Sequence, residues 1–266
     1  VAALTTEQAQ AVTSAGIAVL STAQIHAIGT EQIAALTTAQ VQAITTSGIA
    51  VLSTEQVSAL ETRDVAALKS TQVAVLTTDA IAALNTEQAQ AITTSGIAVL
   101  STSQVAAFGT AQVTALTTAQ VAALTTDQVI ALETEDVANL KTAQVVALTT
   151  DQVAALQTAD IEAMKTAQIA ALTTTQVASL TADQMGALPT SEASALTTTQ
   201  VKVLGADQIR ALSTASVAAL TTDQVLTPSV VIDNAAGSGI KLDLDTPAFG
   251  WRDITAEVDT RGTGAN

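Results

Sequence analysis

Cysteine and tyrosine are absent from this chain of 266 residues, and there is a single histidine. That excludes disulfide staples, thiolate catalysis and cysteine-based metal sites. Aromatic residues are almost missing: Phe108, Phe249 and Trp251 are the whole set. No apolar run approaches the roughly 20 residues that span a bilayer, because Thr and Gln interrupt every few residues. No basic segment followed by an apolar one opens the chain, so no secretory leader is read at its start. Positive charge is scarce too. Nine Lys and Arg stand against 24 Asp and Glu, which gives a net charge of −15 and a pI near 4.1. Such a chain repels phosphate backbones and anionic membrane surfaces. Neither nucleic acid nor membrane insertion is expected. The first residue is Val, which reads as a piece of a longer product.

Catalytic chemistry is equally thin. No GxxxxGKS, HExxH or GxSxG occurs. His26 falls at a variable position of the pattern described below and reads as a solvated surface residue. Asp243 and Asp245 share a strand face, but no third ligand follows at calcium-loop spacing. A Thr array for binding ice is disfavoured, because the same positions accept Lys, Glu, Gln and Pro189. No catalytic residue, cofactor or metal is expected, and the chain is not read as an enzyme.

What remains is a period of eight. Cut from Val1, the chain gives 28 octads ending at Gln224, without a slip in register. Position 1 is mostly Val or Ile, position 3 Ala, position 4 Leu, position 6 Thr or Ser, and position 8 Gln in 19 of 28. One continuous α-helix cannot use this pattern. Eight residues at about 100° each overshoot two turns by roughly 80°, so an apolar stripe would circle the helix. A flat strand fails as well, since positions 1 and 4 would lie on opposite faces.

Short helices fit. With the N-cap at position 6, as Thr6, Thr30, Thr38, Thr118 and Thr126, the helix runs from position 7 to position 4. Asp or Glu at position 7 then meets the positive end of the helix. Position 5 is the exit, where Gly29, Gly109, Gly205 and Asn85 suit a left-handed turn. So short a helix does not persist alone. The expected fold is therefore an all-α repeat: a solenoid of very short helices over 1–226, followed by a small β module over 227–266. A β-solenoid with Thr pairs at its corners is the alternative. The recurrent Gln (Gln8, Gln24, Gln40, Gln120 and Gln128 among them) is expected to bond free backbone groups of neighbouring units as a ladder.

Two couplings point to neighbour packing, though block duplication would also produce them. Gly16, Gly48 and Gly96 replace Gln at position 8, together with Gln10, Gln42 and Gln90, and with Val19, Val51 and Val99 in the next octad. Asp64, Asp136 and Asp160 at position 8 are each followed five residues on by Lys69, Lys141 or Lys165, which suggests salt bridges along one edge.

The pattern ends at VLTPSVV. IKLDLD and DITAEV alternate like strands, and Trp251 with Phe249 would anchor the module's core. The stretch GIKLDLDTPAFGWRDITAEVDTRGTGAN resembles the opening of a module near the end of many tailed-phage fibre proteins. The resemblance rests on the GIK entry, the Asp-Thr-Pro turn, Gly250-Trp251-Arg252-Asp253 and the Arg261-Gly262-Thr263-Gly264 run. It covers roughly 30 residues, and in such proteins the module continues past the point where this chain stops. The LTTxQVAAL repeat is itself similar to arrays in large bacterial adhesins. The first resemblance implies a virion tail fibre. It would form a homotrimer with other tail or fibre proteins as partners, and a host receptor would be bound beyond this chain. The second implies a bacterial surface or secreted filament.

Overall fold

The structure, a computed structural model, describes residues 4–225. These residues form 28 helices of four to six residues, from α1 (Thr6–Ala11) to α28 (Thr222–Val225), and no strand. Each octad is one helix. The β-solenoid alternative is thus not the architecture of the octads. The expected β module, with Phe249 and Trp251, lies outside the described residues.

The helices begin one residue earlier than the sequence reading placed them. Thr5, Thr37, Thr117 and Thr125 are the N-caps, and Gly29 stands in the same place. Thr6, Thr30, Thr38, Thr118 and Thr126 are first helical residues, not caps. The reason is geometric. The cap hydroxyl must reach the N–H three residues on, and that N–H belongs to the Gln at position 8: Gln120 N donates to Thr117 Oγ1 at 3.2 Å. Position 5 is therefore an entry, not an exit. Its backbone is extended, φ −71° at Gly29 and −77° at Asn85, so the left-handed turn expected there does not occur. Acidic residues at position 7 still fall in the first turn, where the helix dipole favours them.

The coil is triangular. Each helix from α4 (Thr30–Ala35) onward packs against the one three places before it, up to α28, and no other separation gives comparable packing. Three octads therefore make one coil, and one helix forms each side. Beyond the first coil the interior takes three positions from nearly every octad: 8, 1 and 4. Gln120, Val121 and Leu124 are typical, each at most 6% exposed. Each enclosed Leu contributes about 1.5–3 kcal/mol of transfer free energy. A six-residue helix has too few internal bonds to persist, so stability lives in the contacts between coils.

Candidate functional site

A six-residue helix is nearly all ends. Its first N–H groups and last carbonyls have no partner inside it. The Gln at position 8 supplies partners at both places. Gln120 Oε1 accepts the Thr117 N–H at 2.8 Å, while its Nε2 donates to the carbonyls of Ala89 at 2.9 Å and Ile92 at 2.7 Å. Gln40 does the same with Thr37, Ala9 and Val12, and Gln128 with Thr125, Ile97 and Leu100. One amide starts its own helix and closes the helix four octads earlier. α5 (Thr38–Ala43) thus begins over the corner where α1 passes into α2 (Ser14–Ala18), and then lies along α2. Gln8 and Gln24 accept from Thr5 and Ser21 in the same way. The residues 28 and 31 places before them fall outside the sequence.

Because the amide takes the cap's N–H, the cap side chain is replaceable. Gly109 and Lys141 at the cap still donate to Gln112 and Gln144 at 2.7 and 2.9 Å. Pro189 is the informative exception. It has no N–H to give, and its helix carries Glu192 at position 8 in place of Gln.

Where Asp replaces Gln, the ladder has a gap. Asp64 and Asp136 are wholly enclosed, and no oxygen of either has a hydrogen-bond partner among the described residues. Burial pushes both carboxyls above the ordinary aspartate range. At Asp64 the nearby Arg63 partly offsets this, and at Asp136 the Thr110 hydroxyl does, lying close by but short of full hydrogen-bond geometry. Asp160 is also enclosed but is satisfied: it accepts from the Gln157 N–H at 2.9 Å and the Thr134 hydroxyl at 2.8 Å. The expected Asp–Lys bridges are not formed. The Asp side chains point into the coil, while Lys69, Lys141 and Lys165 stand exposed as N-caps of the following helices. Lys165 Nζ instead donates to Asn139 Oδ1 at 3.1 Å.

The Gly octads are a packing device. A Cβ on Gly48 would sit 2.8 Å from Ile44 Cγ2, and one on Gly96 2.9 Å from Ile92 Cγ2. Position 4 is β-branched in all three such octads (Val12, Ile44, Ile92), and that branch fills the space of the missing Gln. Val19 and Val99 do not restore the lost volume, since they are 80% and 44% exposed, while Val51 packs half-buried against the core. Gln42 and Gln90 serve an outer ladder. They donate to the carbonyls of Ala67 and Ala115, 25 residues ahead, at 2.8 and 2.6 Å. His26 and Ser58 occupy the same place: His26 Nδ1 lies 2.9 Å from the Val51 carbonyl, so the histidine is exposed but not merely solvated.

Among the described residues no group of three or more His, Cys, Asp or Glu is placed to hold a metal, and no helix is long and apolar enough to cross a membrane. A small apolar cavity of about 60 Å³ opens beside Ala9, Val12, Ile17 and Leu36, where Ala9 stands in place of the usual Val or Ile. It is far below the roughly 300 Å³ of a ligand pocket. What the geometry builds is a laced rod.

The sequence pattern of the ALTTAQ repeat matches residues 1–38, 27–62, 57–94, 97–134, 129–158, 153–190 and 193–227. The chain belongs to the ALTTAQ repeat family. Each match is longer than one 24-residue coil, so a single ALTTAQ repeat holds enough chain to reach from a Gln back towards the carbonyls it closes. No curated protein matches the chain.

Proposed function

We propose that the ALTTAQ array is a non-enzymatic structural shaft, and that it serves in a phage tail fibre, where it spaces and presents a host-binding tip. The observation that carries this reading is the continuity of the lacing. From Gln32 to Gln224, 17 of the 25 octads carry Gln at position 8, and each of those amides ties its coil to an earlier one. A rod built this way gains length in fixed steps. It transmits load through backbone-anchored bonds rather than through exposed loops. Its partners in this reading are other tail proteins, copies of itself and, beyond this chain, a host receptor.

The second reading is a segment of a bacterial adhesin or extracellular filament. The similarity of the octads to adhesin arrays favours it, and the family match falls on those octads, not on the last forty residues. Immunogold labelling separates the two. Antibody raised against the chain should decorate tails of purified virions. Decoration of the bacterial envelope without virion labelling would overturn the fibre assignment. The shaft itself is tested by X-ray scattering from the purified chain, which should give a rod cross-section rather than a coil profile.

A further inference from the structure

The three stacks of helices do not carry the same charge. Each stack takes every third helix, led by α1, α2 and α3 (Thr22–His26). In the first stack the second helical residue is acidic in seven of ten helices, beginning with Glu7, Glu31, Glu55 and Asp79. In the second stack it is acidic in four of nine. In the third it is Ala, Ser or Thr in all nine. With each cap counted with its helix, the third stack's only acid is Glu192, against Lys69, Lys141 and Lys165.

The edges of this third face differ as well. Its helices start at the corner where the second stack ends, and there the three exposed Lys caps stand. They end at the corner where the first stack begins, beside the acids of that stack. One edge of the face is net basic, although Glu162 stands on it beside Lys165, and the other is acidic. Two such rods repel through their other faces, which bring acid against acid.

We propose that the third face seats a second copy of the chain, running parallel and in register. A two-fold axis along the rods lays the basic edge of one copy on the acidic edge of the other. A two-fold axis across the rods would lay like on like. In register, Lys69 comes level with the partner's Asp79, and Lys141 and Lys165 bracket the partner's Asp151. The small side chains of the face allow close approach. The area is sufficient: 28 helices at three per coil give just over nine coils. At the ~9 Å spacing of packed helices and a face ~10 Å wide, that is roughly 800 Å² per copy, the standard size of a stable interface.

Because the chain has no native cysteine, single-cysteine variants of the full chain report the contact directly. A119C lies mid-rod on the third face, A23C lies near one end of it, and A111C lies on the second stack as a control; all three sites are exposed. Light scattering should give a dimer for the unaltered chain, and a trimer would overturn the two-fold pairing. Under mild oxidation A119C and A23C should each link to themselves, and A111C should not. The variant K69E/K141E/K165E, with its helical dichroism intact, should raise the dissociation constant at least tenfold. Linkage of A119C without A23C would mean antiparallel rods and overturn the proposal. So would efficient linkage of A111C, an unchanged dissociation constant in the charge variant, or a monomer. The pairing rests on the rod reading but fails separately from it: an elongated monomer would end the pairing and leave the shaft standing.

Discussion

Gln120 closes the helix that ends at Ile92. Its Nε2 lies 2.7 Å from the Ile92 carbonyl, 28 residues back, while its Oε1 holds the Thr117 N–H at the start of its own helix. A residue that reads as polar filler is therefore, from Gln40 onward, an enclosed one wherever it occurs at position 8, and it joins the ends of two helices that share no sequence contact. Replacing it removes a donor shared by the carbonyls of Ala89, Gln90 and Ile92 and an acceptor from the Thr117 N–H and hydroxyl. An orphaned buried group costs about 1–3 kcal/mol. Gln120→Ala should lower the unfolding free energy by about 2–3 kcal/mol in urea titration. Gln8→Ala should cost less than half as much, because Gln8 is exposed and its amide holds the Thr5 N–H alone among the described residues. Equal losses at the two sites would contradict the ladder.

The register of the caps gives a second expectation. Thr117 accepts the Gln120 N–H, whereas Thr118 is the first helical residue and exposed. Thr117→Ala should cost about 1 kcal/mol, the usual value of a Ser or Thr cap. Thr118→Ala should fall within about 0.5 kcal/mol of neutral, as exposed sites do. Thermal denaturation of the two variants side by side decides which threonine holds the helix.

Much of this fold was legible in the octads, and the parts that were not have identifiable causes. Positions 1 and 4 share a helical face and no strand face, so the short helix and its buried residues follow from spacing alone. The cap register was obscured because Thr fills position 6 almost without exception, while position 5 varies. It varies because the Gln oxygen serves the cap N–H whatever the cap side chain is, as Gly109 and Lys141 show. The three-octad coil did leave a mark. Glu7, Glu31, Glu55 and Asp79 recur every 24 residues, and every third octad lacks an acid at that position. The Asp–Lys couples misled, because a charge pair in sequence reads as a surface bridge. Here Asp64 and Asp136 take the enclosed place of Gln and never meet the lysines.

Those two aspartates make the rod sensitive to pH in an unusual direction. Their folded-state pKa values lie above the unfolded ones, raised chiefly by burial. Such groups bind more protons folded than unfolded, so their contribution is fully present below the unfolded aspartate pKa and is lost as pH rises through the folded one. Acidification should therefore strengthen the coil at α8 (Thr62–Ala67) and α17 (Thr134–Asn139). Glu55, whose pKa is lowered by hydrogen bonds to its own backbone and to Ser53 and Thr54, opposes this, so the informative quantity is a difference between proteins. D64N/D136N should be more stable than the unaltered chain at pH 7, and the gap should shrink towards pH 4. A gap independent of pH would show that the two carboxyls are not titrating within the fold.

Gly48 and Ile44 offer the sharpest test of packing between side chains. In a helix, Gly→Ala is ordinarily favourable by about 1 kcal/mol. Here the added Cβ would meet Ile44 Cγ2 at 2.8 Å and Ile25 Cγ1 at 3.3 Å, and both side chains are buried in the core. Overpacking of this kind costs about 1–3 kcal/mol, so the net effect of Gly48→Ala should be destabilising. Ile44→Leu moves the branch away from Cβ and restores the residue that most octads carry at position 4. Alone it should open a small void beside Gly48 and cost about 1 kcal/mol. Together the two changes should be milder than the sum of the single ones, with a coupling of at least about 1 kcal/mol in a double-mutant cycle. Strict additivity would mean that the β-branched residue and the glycine were copied together by duplication and hold no contact worth keeping.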